Sequence, residues 1–245
     1  MYLKVQGLVL RVTAYNDHDA LLTLLTPEQG KLTVKARGLR RKNSPLIAPC
    51  QLLAYGEFTL FEHRGYYTIQ EAVSINLFQN VRQDIVKLAL GSYFSQVAEV
   101  ISQEDTPSPE LLQLVLNCLY VLSNKSLPCG QIKSVFELRI ACISGYTPDL
   151  SPCECGNLFP DRFHTSMGKL ECQECGQWGS EGIRMPVTPG VVNAMRYIVD
   201  CHPKEIFSFT AGEDTLEILS SVTEVYLTTQ LERSFSTLNF YKSLF

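Results

Sequence analysis

Four cysteines in the second half of the chain have the spacing of metal ligands. Cys153 and Cys155 form one close pair, Cys172 and Cys175 form another, and 16 residues separate the two pairs. Two pairs of thiolates can surround a tetrahedral Zn²⁺ and leave no position for a substrate water, which is the arrangement of a structural site. The sequence therefore predicts one structural zinc ion per chain, bound by these four residues.

The same cysteines are open to other interpretations. Disulfides or free buried thiols are the plainest ones. However, the chain begins MYLK without a signal peptide, so we expect a cytoplasmic protein. In the cytoplasm, paired cysteines more often bind metal than form disulfides. The first pair is tighter than C-x-x-C, so His164 is an alternative ligand in place of one sulfur. A thiol redox enzyme could use Cys172 and Cys175, but acidic neighbours oppose the lowered thiol pKa that this chemistry needs.

The second group of residues that could carry a function is basic. Residues 1–42 contain eight Lys and Arg but three acids, a net charge of +5, so the other 203 residues carry −9 of the total of −4. This uneven distribution indicates that the N-terminal part meets a polyanion. Most of the positive charge lies in KLTVKARGLRRK at 31–42, in Lys31, Lys35, Arg37, Arg40, Arg41 and Lys42.

This basic segment reads as a strand followed by a loop. In a strand, positions 31, 33, 35 and 37 share one face and positions 32, 34 and 36 share the other. Arg40, Arg41 and Lys42 would extend the charge into the loop, as in a groove that follows a nucleic-acid backbone. The alternative is an ordinary solvated surface, but the acids that normally intersperse such a surface are missing. We therefore predict that all six basic residues bind DNA.

The elements that must position these residues change type near residue 78. Before it, alternating runs predict five strands, at 2–13, 20–26, 31–38, 52–62 and 66–75. Five short strands suit a small closed barrel, of which the OB-fold is the common nucleic-acid-binding form. After Asn80 the apolar period becomes 3.6, and helices are predicted at about 81–101, 109–124, 129–145, 188–201 and 214–235.

The predicted fold class is therefore α+β and multidomain. An N-terminal five-stranded OB-fold barrel is followed by an all-α domain, which the four-cysteine zinc module interrupts. The predicted limits are 1–78 for the DNA-binding barrel, 79–150 for the first part of the helical domain, 151–177 for the zinc module and 178–245 for the second helical part.

Two further observations concern stacking and catalysis. The β region contains the aromatic residues Tyr2, Tyr15, Phe58, Phe61, Tyr66 and Tyr67. Such rings can stack on bases, but Phe58 and Tyr67 are expected to fill the barrel, and no ring is assigned to a base. Nucleotide-binding loops and the motifs of zinc proteases, serine hydrolases and zinc deaminases are absent from the sequence. No catalytic residue is predicted, and the protein is expected not to be an enzyme.

Several motifs resemble those of the RecO family of recombinational DNA-repair proteins. Lys35-Ala36-Arg37-Gly38 ends the third strand, PCQLL occupies 49–53, and Gly145-Tyr146-Thr147-Pro148 precedes the cysteine module, which has Phe163 and Gly168 between its pairs. The resemblance spans the chain. Family members that bind zinc usually have C-x-x-C in the first pair, where this chain has the shorter Cys153-Glu154-Cys155, and some members have lost the metal.

The resemblance implies a recombination mediator in the cytoplasm, at the nucleoid. Such a protein binds single- and double-stranded DNA, anneals complementary strands, joins RecR and helps to load RecA on strands covered by single-strand-binding protein. The acidic C-terminal tail of that protein would dock on the helical domain, where Lys133 and Arg139 are candidate contacts. The alternative is a zinc-containing regulator that reads DNA sequence without annealing, but no predicted helix has the composition of a recognition helix.

Overall fold

The structure is a computed structural model that describes residues 1–153, 155–158, 160–173 and 181–245. These residues form two compact units. The first comprises Met1–Lys125 together with Phe235–Phe245, and the second comprises Ser126–Ser234. Each unit buries apolar side chains of its own. Within the described ranges, no helix is both long and apolar enough to cross a lipid bilayer.

The first unit begins with a five-stranded barrel. Its strands are β1 (Tyr2–Ala14), β2 (Ala20–Thr26), β3 (Gly30–Ala36), β4 (Tyr55–His63) and β5 (Tyr66–Asn76). They close in the order β1-β2-β3-β5-β4, and β4 pairs with β1. Neighbouring strands are antiparallel except for β3 and β5. The predicted five-stranded, OB-like barrel is confirmed.

Alternation along the strands builds the barrel core. The interior contains fully buried Val34, Phe58 and Leu60, and Tyr67 packs partly buried against this cluster. Both aromatic residues that were expected to fill the barrel therefore do so. A β-bulge near Arg11 shifts the register of β1 against β2, which bends β1 around the closed sheet.

Three helices follow the barrel in the first unit. They are α1 (Gln79–Arg82), α2 (Ile85–Ile101) and α3 (Pro109–Asn124). The prediction of one continuous helix over 81–101 is wrong, because Asp84 has an extended backbone and its carboxylate caps α2 by accepting two backbone N–H groups of the first turn. Gly91 permits close packing in α2, since a Cβ there would lie 2.9 Å from Cδ1 of Leu53.

The second unit is mainly helical. It contains α4 (Cys129–Ile143), α5 (Pro189–Asp200) and α6 (Glu213–Gln230), and the short strands β6 (Arg162–His164), β7 (Lys169–Glu171) and β8 (Arg184–Pro186) in the order β7-β6-β8. The sequence did not predict these strands, since three residues are too few to show a period. Phe163 is fully buried and packs edge-on against Tyr226, with ring centres 5.1 Å apart, which joins the small sheet to α6.

A buried charge cluster joins α4 to α6. Nζ of Lys133 lies 3.1 Å from Oε1 of Glu137 and 2.8 Å from Oε2 of Glu224, and the Lys133 side chain is 3% exposed. Burial raises the pKa of Glu137, and the Lys133 ammonium opposes that rise. Lys133 is therefore not available to an acidic partner tail, and the prediction that it contacts the tail is wrong, whereas docking of the tail on the helical domain stays a prediction. Arg139 is half-buried and donates to two backbone carbonyls near the end of α5.

The last helix, α7 (Ser236–Lys242), belongs to the first unit. The helix predicted over 214–235 ends earlier, at Gln230, and Glu232 then has a positive φ of 48°. Phe235 is buried with its ring centre 5.7 Å from that of Tyr93, and Oε1 of Gln96 accepts a hydrogen bond from the Thr237 backbone. Helix α2 packs on the barrel and α7 packs on α2, so both helices belong to the same compact unit as the barrel. The domain limits predicted from the sequence divide the chain differently and remain predictions.

Candidate nucleic-acid interface and metal centre

The basic segment, residues 31–42, begins on β3 and continues into the loop that follows. The positions that point into the barrel are Leu32, Val34 and Ala36, all buried. Lys31 and Lys35 are half-buried and Thr33 is exposed on the outer face, so the predicted alternation is confirmed. The strand ends at Ala36. Arg37 therefore lies in the loop and not on the strand face where it was predicted.

Lys31 is held against α2. Its Nζ donates to the backbone carbonyl of Glu99 at 3.1 Å, and the Glu99 carboxylate pairs with Nε of Arg11 at 3.2 Å. Thr23 Oγ1 also donates to that carboxylate, at 3.4 Å. Glu99 thus collects side chains from β1, β2 and β3, which fixes α2 on this part of the barrel. One of the three N–H donors of the Lys31 ammonium is therefore used inside the protein.

Lys35 is paired with a carboxylate. Its Nζ lies 3.0 Å from Oδ2 of Asp19 and 4.7 Å from the centre of the Tyr15 ring. The Gly38 backbone N–H, the Lys35 ammonium and the Asn16 side chain all donate to Asp19, and these hydrogen bonds hold the pKa of its carboxyl group well below the usual range. Asp19 therefore remains ionised and compensates the charge of Lys35.

The loop after β3 carries the remaining predicted cations. Arg37, Arg40, Arg41 and Lys42 are exposed, and no carboxylate in the described part of the chain lies within ion-pair distance of them. Arg40 donates through Nη1 to the backbone carbonyl of Asn16 at 2.7 Å, which anchors the loop while the guanidinium keeps its charge. The loop is therefore a fixed platform with four uncompensated positive charges.

An apolar pocket adjoins this platform. Its volume is about 290 Å³, and its lining residues are Val12, Ala14, Ala20, Leu39, Arg40, Ile47, Cys50 and Gln51. Burial raises the pKa of Cys50 to about 12, so this thiol remains protonated at neutral pH. The pocket thus offers a neutral apolar wall beside Arg40 and contains no activated nucleophile.

Three of the four predicted metal ligands come together in the second unit. Sγ of Cys172 lies 3.6 Å from Sγ of Cys153 and 3.6 Å from Sγ of Cys155, and all three sulfur atoms lie within 4.8 Å of one another. Cys175 lies outside the described residues. A tetrahedral Zn²⁺ with Zn–S bonds of about 2.3 Å places its sulfur ligands about 3.8 Å apart. The spacing of these thiols therefore fits a metal ion.

The tight first pair is made possible by its turn. Gly156 has a φ of 86° and donates its N–H to the Cys153 carbonyl at 2.8 Å, which brings both sulfurs to one side. The backbone N–H groups of Cys155 and Cys172 point toward the Cys153 sulfur and lower its pKa from 9 to about 7. The lowered pKa makes the thiolate, the form that binds a metal ion, easier to reach at neutral pH.

His164 is not a member of the thiol cluster. It lies fully buried in β6, where its Nδ1 accepts the Met167 backbone N–H at 3.4 Å. Its Nε2 has no hydrogen-bond partner within the part of the chain that the structure describes. The alternative in which His164 replaces one sulfur gains no support from this arrangement, because the tight pair places both of its sulfurs beside Cys172.

Sequence reasoning did not identify Asp19 and Glu99 as partners of the basic segment. For Asp19 a signal was present. The turn that joins β2 to β3 sets the pairing of these two strands, so that Ala20 lies opposite Ala36. The β1–β2 turn, which precedes Ala20, must therefore lie beside the end of β3. Glu99 is 68 residues from Lys31, and its contact depends on how α2 packs on the barrel. No local pattern could have indicated that contact.

Comparisons with known proteins agree with this architecture. The family model described as Recombination protein O N terminal matches residues 1–78, and the one described as Recombination protein O C terminal matches residues 82–239. The DNA repair protein RecO of Acetivibrio thermocellus is 32% identical over 246 residues, which cover 99% of this chain and 97% of that protein.

More distant relatives carry the same name. The DNA repair protein RecO of Alkaliphilus metalliredigens is 29% identical over 248 residues and is covered fully, as is this chain. The Bacillus subtilis protein of that name is 27% identical over 228 residues, which cover 92% of this chain and 88% of the relative. With both family models matched and similarity along nearly the whole length, the chain belongs to the RecO family of DNA repair proteins.

Proposed function

We propose that this protein binds DNA through the loop after β3 and acts as a recombination mediator. The observation that carries the proposal is the platform of four exposed cations, Arg37, Arg40, Arg41 and Lys42, without a carboxylate partner among the described residues. Such cations neutralise phosphates and release the counterions condensed on DNA. They lie on an OB-like barrel, a fold whose surface and loops are used to bind oligonucleotides.

The six predicted DNA-binding residues are not equivalent in this proposal. The four loop cations are assigned the main phosphate contacts. Lys35 contributes less, because Asp19 compensates its charge at 3.0 Å. Lys31 contributes least, because it is half-buried and donates to the Glu99 carbonyl. Charge reversal at Lys31 would therefore test the packing of α2 more than DNA binding.

Binding through phosphates explains why one surface would accept single strands and duplexes. Phosphate contacts position the nucleic acid and carry no direct sequence information. Annealing follows from the same property. Two complementary strands repel each other, and a basic surface that reduces this repulsion while leaving the base edges free allows them to meet and pair.

The partner proteins are proposed on the basis of family membership. We infer that the chain joins RecR, docks the C-terminal tail of single-strand-binding protein and thereby assists the loading of RecA at the nucleoid. Because Lys133 is buried between two carboxylates, the tail would need to use other residues of the chain. Electrostatic attraction to an acidic tail would in any case require exposed cations.

The proposed zinc site has a structural role. Cys153, Cys155 and Cys172 would hold the ion together with Cys175 as the fourth ligand, one ion per chain. Zinc would supply a tetrahedral centre that fixes the turn after Leu150 beside the small sheet. Support comes from the sulfur spacing of 3.6 Å and from the lowered pKa of Cys153.

We also propose that the protein has no enzymatic activity of its own. The cysteine cluster is the candidate for thiol chemistry, and in it Cys153 and Cys172 are buried while Cys155 is exposed, with all three sulfur atoms within 4.8 Å of one another. A nucleophilic thiol needs access to its substrate as well as a lowered pKa. Three sulfur atoms this close together, two of them buried, suit metal ligation better than thiol redox chemistry.

The experiment that tests the proposal measures binding and annealing together. Gel-shift titrations with two unrelated single strands and their duplexes, at 50 and 200 mM salt, should give similar affinities for both sequences and a steep loss with salt. Annealing of the complementary strands should be faster with the protein, also when single-strand-binding protein covers them. Strong preference for one duplex sequence, without annealing, would instead indicate the sequence-reading regulator and overturn the proposal.

A further inference from the structure

The outer surface of the barrel carries exposed aromatic rings that the phosphate-binding loop does not use. Tyr2 on β1 is 67% exposed and Tyr66 on β5 is 79% exposed. Phe61 and His63 on β4 lie between them and are half-buried and exposed respectively. We call these four residues the aromatic face. None of them belongs to the apolar cluster inside the barrel.

The strand register makes the aromatic face continuous. Tyr2 pairs with Phe61 across β1 and β4, and their ring centres are 5.3 Å apart. Phe61 and His63 point to the same side and stack with an interplanar angle of 7° at 6.4 Å. His63 in turn pairs with Tyr66 across the β4–β5 hairpin. Four rings from three strands therefore cover one part of the outer surface.

The same register connects this face to the basic segment. Phe61 pairs with Thr68 on β5, and Thr68 pairs with Lys35 on β3. Neighbouring strands lie about 4.8 Å apart, so Lys35 and Tyr2 are separated by about 14 Å across four strands. A chain that leaves the loop after β3 and crosses the strands would thus meet Lys35 first, then Phe61 and Tyr2.

Cations lie at one end of this path and beside it. Lys35 and the loop that follows it stand at one end. Arg64 lies beside the path, in the turn of the β4–β5 hairpin next to Tyr66, and no carboxylate among the described residues lies within ion-pair distance of it. The sugar–phosphate backbone can use such charges while bases lie on the rings, a combination typical of single-strand binding.

We propose that the aromatic face is a stacking platform for unpaired bases of a DNA single strand. This inference rests on the proposed DNA binding by the loop after β3 and adds the contact that distinguishes single strands from duplex. Bases of a duplex are stacked on each other and cannot lie on Tyr2 or Tyr66. A single strand held by the loop cations can place its bases on these rings.

The chemistry of the face favours bases over a protein partner. Polar groups border the rings, because Thr68 lies between Phe61 and Lys35, and Lys4, two residues after Tyr2 on β1, pairs with Glu57 at 2.7 Å. A protein interface would bury a contiguous apolar centre and exclude charges from it. Exposed ring faces beside cations instead suit flat bases with charged phosphates.

The test compares a single strand that has bases with one that has none. Affinities of the whole chain are measured by fluorescence anisotropy for a thymidine oligomer, an abasic oligomer of equal length and a duplex. The double variant Tyr2→Ala and Tyr66→Ala should bind the thymidine oligomer at least about tenfold more weakly. Its affinities for the abasic oligomer and the duplex should remain within about twofold of the unmodified protein.

Control variants separate stacking from loss of folding. Tyr120→Ala removes an exposed tyrosine on α3, outside the aromatic face, and should change none of the three affinities. The double variant Tyr2→Phe and Tyr66→Phe keeps the rings and should retain the preference for bases. The stacking platform is refuted if the Ala double variant keeps the preference for bases. It is also refuted if that variant loses affinity equally for all three ligands while its melting temperature is unchanged. If the unmodified protein binds neither the abasic oligomer nor duplex, the proposed phosphate binding has failed instead.

Discussion

Nζ of Lys35 lies 3.0 Å from a carboxylate oxygen of Asp19, inside a surface that the sequence predicts to be purely basic. Asp19 comes from the β1–β2 turn, and it also accepts the Gly38 backbone N–H at 2.9 Å. One carboxylate therefore fixes the start of the loop after β3 and reduces the positive charge of that loop. We therefore expect that loss of the Asp19 carboxylate lowers the stability of the protein and raises its affinity for DNA.

Replacing this carboxylate should strengthen DNA binding. In Asp19→Asn the amide oxygen can still accept the Gly38 N–H, but Lys35 loses its counter-charge. We expect tighter binding to single strands and a steeper salt dependence, by up to one phosphate contact. The matched control is Asp17→Asn, an exposed acid in the same turn with no ion pair to a described residue. Equal gains in both variants would mean that net charge alone is responsible.

The same residue predicts a pH effect on stability. Hydrogen bonds from Gly38, Lys35 and Asn16 hold the pKa of Asp19 below its usual range, so its contribution is present above the unfolded pKa of about 3.9 and is lost as pH falls through the folded pKa. Melting temperatures of the unmodified protein and of Asp19→Asn should therefore differ at pH 7, and the difference should shrink gradually as pH falls from about 4 toward the folded pKa. A difference that stays constant down to pH 2.5 would contradict this assignment.

Neutralising three loop cations should weaken DNA binding in a salt-dependent way. The triple variant Arg37→Gln, Arg41→Gln and Lys42→Gln should lower the slope of log affinity against log salt for single strands by about two units, at about 0.7 per phosphate contact. Folding should be unaffected, because these side chains are exposed.

A matched control removes the same amount of charge elsewhere. Lys125, Lys204 and Arg233 are exposed, and their conversion to Gln changes the net charge equally. This second triple variant should keep the salt slope within about half a unit of the unmodified protein. If it loses binding while the loop variant retains binding, the loop after β3 is not the main DNA site.

Metal removal should destabilise the second unit selectively. The purified protein should contain about one zinc per chain, and a strong chelator should increase amide hydrogen exchange around β6 and β7 while the barrel stays protected. Cys172→Ser should have the same effect, whereas Cys201→Ser, a half-buried thiol outside the cluster, should not. Unchanged exchange in the second unit after complete zinc removal would exclude a structural metal.

The buried charge cluster gives a prediction about stability without DNA. Lys133→Met leaves Glu137 and Glu224 without their shared cation and should cost about 3–5 kcal/mol of unfolding free energy. Adding Glu137→Leu removes one of the uncompensated carboxylates and should recover part of that loss. Chemical denaturation of the single and double variants checks both steps. A single variant that loses under 1 kcal/mol would show that the cluster is not electrostatically coupled.

Much of the framework was predictable because it depends on local patterns. Period-two alternation in β3 fixed which side chains enter the barrel, and cysteine spacing indicated the thiol cluster. The break at Asp84 was missed because the apolar period continues across it. The contact of Lys31 with Glu99 and the return of Phe235 to Tyr93 depend on packing between distant segments, for which the sequence has no local signal.

The burial of Phe235 against Tyr93 also constrains how the protein folds. The two residues are separated by 142 positions, and the whole of the second unit lies between them in the chain. During synthesis the barrel and α2 emerge first, but the apolar surface around Tyr93 remains uncovered until residues beyond 234 have been made. Contacts of such high sequence separation close slowly. We expect a late folding step in which α7 docks, and an exposed Tyr93 surface would be the part of the nascent chain most in need of protection from aggregation.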